Sequence, residues 1–109
     1  MSPAEVLRAA REKIATPDRW TKYVYAKNAK GLTCDPTDDE ASCFCALGAV
    51  CNVTGLGYHH YHVGSAFYFL SRAAGGLGVG EQFNDREETT HADVLRLYDR
   101  AIALAEAAS

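Results

Sequence analysis

Cys43-Phe44-Cys45-Ala46-Leu47-Gly48-Ala49-Val50-Cys51 is an uncharged run of nine residues, and its reading decides the fold. The acidic stretch Asp35 to Glu40 precedes it, and Asn52, Thr54 and Gly55 close it. A helix needs roughly 20 apolar residues to cross a bilayer, so this run belongs inside a globule. Upstream, Thr37-Asp38-Asp39-Glu40 has the spacing of a capping box, with acids where the helix dipole favours negative charge. The run is therefore expected to be a helix buried on most sides and central to the fold. Gly48 within it marks a point where another helix or backbone comes close.

The flanking segments supply three more helices. Ser2-Pro3-Ala4-Glu5 is a capping box with Pro at the first helical position. Val6, Leu7, Ala10 and Ile14 then form an apolar stripe, and Arg8 and Glu12 are spaced to pair on another face. Thr16-Pro17 ends this helix, because Pro disfavours the α conformation in the residue before it. A further helix is expected from about His62 to Ala74, where Val63, Ala66, Phe67, Leu70 and Ala74 repeat at helical spacing. Gly75-Gly76 stops it through a left-handed cap. Thr90-His91-Ala92-Asp93 opens the last helix, whose stripe runs through Val94, Leu97, Tyr98, Ala101, Leu104, Ala105 and Ala108. Arg19 to Lys30 reads as a short helix or an extended arm over the core. No hairpin is expected. The fold class that follows is all-α: a compact four-helix single domain over 1–109, with a central apolar helix and irregular connections.

Composition limits function. The chain has 109 residues, a net charge of −3 and 48% hydrophobic residues, ordinary for a globular domain. Residues 1–33 hold seven Lys or Arg against three acids, and residues 34–109 hold four Arg against eleven acids. A basic third on an acidic body, with a pI near 5.7, lacks the footprint of a nucleic-acid binder. The charged first turns allow no secretory hydrophobic region, and Ser2 stands where myristoylation needs glycine. A cytoplasmic location is expected, with no membrane association. On one helix Cys43 and Cys51 would lie about 12 Å apart, beyond the roughly 7 Å that a disulfide allows. Buried thiols are expected, with Cys34 in a loop.

Each candidate chemistry has a plain structural alternative. In Tyr58-His59-His60-Tyr61-His62, His59 and His62 could share a helix face, with Cys34 or His91 completing a metal set. Only one ligand pair has a usable spacing, so no metal and no cofactor are assigned. A cysteine nucleophile wants an electropositive, partly exposed setting, whereas Cys43 follows Asp38, Asp39 and Glu40. Gly75, Gly76, Gly78 and Gly80 fail the phosphate-loop pattern and read as a flexible connector. Arg19 to Lys27 interleaves cations with aromatics, as single-strand binders do. The alternative is that Trp20 and Tyr23 cover the core while the lysine tips stay wet. Asn84-Asp85 read as side chains that bond backbone groups and fix a loop, or as a small polar site beside Trp20 or Tyr98.

Several of these pieces together resemble a family of small bacterial and phage proteins known only as a domain of unknown function. The residues that carry the resemblance are Trp20 with Tyr25-Ala26, Gly31, Cys45-Ala46-Leu47-Gly48-Ala49, Asn84-Asp85, Thr90, Val94-Leu95 and Arg100-Ala101. Phe83 stands where such proteins tend to have Trp, and the Tyr58–His62 segment is particular to this chain. The resemblance implies a compact helical domain, often phage-borne, serving as an accessory or anti-host factor. It implies no catalytic residues.

The function expected from the sequence is non-catalytic binding of a protein partner. Tyr58, His59, His60, Tyr61 and His62 are the expected contact, since tyrosines combine an apolar body with a polar tip and imidazoles add a pH handle. The alternative is a small-molecule or metal-binding domain, or an enzyme, using the same pentad.

Overall fold

The computed structural model describes residues 1–57 and 64–109. The Tyr58–His62 pentad therefore lies outside the described residues. Helix α1 spans Pro3–Lys13 and opens on the expected capping box: the Ser2 hydroxyl accepts from Glu5 N at 3.2 Å, and Ser2 N donates to the Glu5 carboxylate at 3.0 Å. These bonds hold the Glu5 carboxyl below its ordinary pKa. A single 3-10 turn at Pro17–Arg19 leads into the extended segment that begins at Trp20.

The uncharged run is not one helix. Strand β1 (Ala26–Asn28) pairs antiparallel with β2 (Ala41–Phe44), setting Ala26 opposite Phe44 and Lys27 opposite Cys43. The described residues thus form a mostly helical domain with a small two-stranded sheet, α+β rather than all-α. Helix α2 begins only at Ala46 and ends at Thr54, capped by Gly55 in the left-handed region. Cys43 accordingly sits on a strand, not inside a helix. The expected cap at Thr37 is diverted by local side-chain bonds. Asp35 Oδ1 accepts from Thr37 N at 2.8 Å and Asp38 Oδ1 from Glu40 N at 2.9 Å, closing turns in place of a helix start.

Gly48 explains why the strand and α2 meet so closely. A β-carbon at this position would lie 2.0 Å from the Tyr25 carbonyl oxygen, and the same oxygen accepts from Cys45 N at 3.1 Å. Glycine lets the Tyr25 backbone lie directly on the first turn of α2.

Helix α3 spans Ala66–Ala73, with Ser65 as its cap, and Gly75 and Gly76 follow it at φ 71° and 86°. Helix α4 (His91–Ala107) opens on the Thr90–Asp93 capping box. A π-helical turn, Gly80–Asn84, lies between them. Among the described helices α4 packs mostly on α3 and α1, and α1 also carries most of the packing of α2, so α1 rather than α2 lies at the centre of the helix contacts. Arg8 pairs with Glu106 at 2.9 Å rather than with Glu12, and Arg11 with Asp99 at 2.8 Å, which runs α1 antiparallel to α4. Leu7, Ile14, Val50, Leu70, Val94 and Leu97 are sealed from solvent, each contributing about 1.5–3 kcal/mol of transfer free energy. Tyr98, also fully buried, donates its hydroxyl to Ala46 O and ties α4 to α2. No described helix is long and apolar enough to cross a membrane.

Candidate functional site

The π turn aims Asn84 into the interior, where its side chain is fully buried. Asn84 Oδ1 accepts from Trp20 Nε1 at 2.7 Å and from Ala46 N at 3.0 Å. Asn84 Nδ2 donates to Thr21 O at 3.1 Å and to Asp85 Oδ1 at 2.9 Å. All four bonds an amide can make are formed, and the two N–H donors facing Oδ1 fix which way the amide points. Asp85 Oδ1 also accepts from Tyr23 N at 2.8 Å. Lys22 Nζ donates to the carbonyls of Arg86 and Glu87 and lies over the Trp20 ring, 5.6 Å from its centre. Residues 20–23 are thereby laced to residues 84–87, and Asn84-Asp85 do fix backbone groups.

This lacing leaves Tyr23 in the left-handed region at φ 74° and 71% exposed. A non-glycine residue in that conformation is strained. Tyr23 therefore stands out from the core that it was expected to cover, whereas Trp20 is half-buried against it. Beside Tyr23 lies an open cleft of about 710 Å³. Tyr25 and Leu47 form one wall, Phe67 and Ser71 of α3 another, and the π turn with Glu81 and Asp85 a third. The Gly78–Gly80 segment, expected to be a connector, is part of that third wall.

Cys45 reaches the cleft as the cap of α2, its sulfur accepting from Gly48 N at 3.3 Å. Burial raises its thiol to about 11, so at neutral pH it is the protonated form and not a nucleophile. Burial, and then the nearby Asp38, also raise Cys34. The first amides of α2 are engaged by Asn84 and Cys45, so the helix start offers them to no anion. Among the described residues no group of three or more His, Cys, Asp or Glu is placed to hold a metal. His91, a candidate ligand from the sequence, bonds Ile14 O through Nε2 at 2.7 Å, and its ring lies tilted by 48° against Trp20 with the centroids 5.9 Å apart. All four cysteines are free thiols.

The cleft as a whole is not legible in the sequence. Its walls come from residues 23–25, 45–47, 67–71 and 78–85. The local signals are Gly48, which marks a close backbone approach, and Asn84-Asp85, for which a small polar site beside Trp20 or Tyr98 is the alternative reading.

The Trp20–Asn84 bond, the Tyr25–Gly48 contact and the caps of α2 and α4 hold together a small, mostly helical domain with a two-stranded sheet. A family of unknown function, DUF6197, matches residues 1–104, and the chain belongs to it. No curated protein and no solved structure matches the chain.

Proposed function

We propose that the chain is a non-catalytic binding domain that engages a protein partner through the cleft between Tyr23–Tyr25, α3 and the π turn. The observation that carries this is the combination of an open, aromatic-lined cleft of about 710 Å³ with a bordering thiol held protonated. An open groove suits an extended segment or a presented side chain, whereas small ligands favour enclosure over most of their surface. Tyr23 and Tyr25 are exposed at its edge, and tyrosine is among the residues enriched at binding hot spots. The pentad Tyr58, His59, His60, Tyr61 and His62 belongs to the same proposal as a second contact, next in sequence to α3. Accessory or anti-host action fits such a domain.

The test is comparative capture from host lysate. Tagged wild type, Tyr25→Ser with Glu81→Arg, and Leu104→Ser on the far helix are compared after each is checked by circular dichroism. The proposal expects a protein retained by wild type and Leu104→Ser and lost by the cleft variant. Equal retention by all three overturns it.

A further inference from the structure

We infer that the cleft receives a cationic side chain, lysine or arginine, presented by an extended segment of the partner, between the tyrosines at its edge and the carboxylates of Glu81 and Asp85. This rests on the proposed role of the cleft and adds the chemistry of its occupant. Tyr23, Tyr25 and Phe67 bring three aromatic rings, and Glu81 and Asp85 two carboxylates, while no basic side chain is among the described residues that line it. A ring face attracts a cation through its quadrupole, and a carboxylate does so by charge, so both classes of wall select the same guest.

The carboxylates are also left for an external cation. Asp85 uses Oδ1 for Tyr23 N and Asn84 Nδ2, and among the described residues neither Asp85 Oδ2 nor the Glu81 carboxylate takes part in a hydrogen bond or ion pair. The cations nearest along the chain are committed elsewhere. Lys22 lies on Trp20 and bonds the 86–87 carbonyls, Arg72 donates to the Tyr68 hydroxyl at 3.0 Å, and Arg86 pairs with Glu88. The chain itself seats cations on rings in this way: Lys22 is 5.6 Å from the Trp20 centre and Arg72 5.8 Å from that of Tyr68. The partner's side chain would complete the cleft in the same way.

The experiment titrates the isotopically labelled full chain by NMR with four probes. They are blocked hexapeptides with a central Lys, a central Arg or a central norleucine flanked by leucines, and n-butylammonium alone. The expected result is that the Lys and Arg peptides shift the amides of residues 23–25 and 78–85 and bind about fivefold or more tightly than the norleucine peptide. That preference weakens as salt rises from 20 to about 300 mM, and Glu81→Gln reduces it while leaving the fold unchanged. Equal binding of the norleucine and Lys peptides overturns the cation while leaving the cleft as a docking site. Butylammonium binding as tightly as the peptides overturns the commitment to a protein segment. If no probe shifts the cleft amides, the cation inference fails, and the capture experiment above decides separately whether the cleft meets a partner.

Discussion

Trp20 Nε1 and Asn84 Oδ1 are 2.7 Å apart across 64 residues of sequence, and the same oxygen takes the first amide of α2. One buried amide therefore joins the extended arm, α2 and the π turn. Replacing Asn84 with Ala strands the Trp20 indole N–H and the Ala46 amide in the interior, at about 1–3 kcal/mol for each buried group left unpaired. Asn84→Ala is expected to lose about 2–4 kcal/mol in urea unfolding. Trp20→Phe removes one donor and should lose less. A loss below 1 kcal/mol for Asn84→Ala would mean that the hub is not formed.

Gly48→Ala sets two effects against each other. Alanine gains up to about 1 kcal/mol of helix propensity over glycine. Its β-carbon, however, would meet the Tyr25 carbonyl at 2.0 Å, a backbone atom that cannot swing aside. Overpacking of this kind typically costs about 1–3 kcal/mol and here requires moving β1 as well. Net destabilisation by about 1–2 kcal/mol is expected, with shifted amide resonances at residues 25–28. A stabilised Gly48→Ala protein would show that Tyr25 does not rest on α2.

Alkaline pH should weaken the fold through Cys45. Its thiol rises from 9.0 to about 11 because burial disfavours the thiolate. A group with a raised folded-state pKa contributes stability that is complete below its unfolded value and is lost as pH climbs through the folded one. The window is therefore pH 9 to about 11, and the loss is about 2–3 kcal/mol. Buried Tyr98 is raised in the same direction. Cys45→Ser keeps the cap of α2 and removes the titration, so its melts should fall less over that window. Identical pH profiles for the two proteins would refute the assignment.

The histidines of the pentad give the proposed interface a different pH response. Unperturbed imidazole charges near pH 6.5, so partner binding should change between about pH 5.5 and 7.5. Replacing Tyr58, His59, Tyr61 and His62 with Ala or Ser should remove that dependence and weaken capture. Unchanged affinity with an intact fold would confine the contact to the cleft.

What was legible in the sequence was local. The Ser2–Glu5 and Thr90–Asp93 boxes and the Gly75-Gly76 stop are each written within a few residues, and the structure places them there. The strand at Ala41–Phe44 exists because Ala26–Asn28 lies beside it, a pairing that the apolar run does not encode. The acids before it resembled a cap, yet Asp35 and Asp38 bond their own downstream amides instead. A polar site of Asn84-Asp85 beside Trp20 or Tyr98 is open as an alternative in the sequence, and Trp20 does meet Asn84, but the cleft that this meeting helps to build is a property of two loops far apart in the chain.

Tyr23 should trade stability for binding. It holds φ at 74° because Asp85 grips its amide, while its side chain is 71% exposed and buries little. The left-handed conformation costs a residue with a β-carbon roughly 1–2 kcal/mol, and glycine escapes that cost but loses more backbone entropy on folding. Tyr23→Gly is expected to gain about 0.5–1 kcal/mol in urea unfolding, while Tyr23→Ala, which keeps the strain, gains nothing. Both remove the ring from the cleft edge and should weaken binding of the Lys peptide to a similar degree. If Tyr23→Gly gained stability and bound the peptide as tightly as wild type, the strain would serve the loop alone and the ring would have no part in recognition.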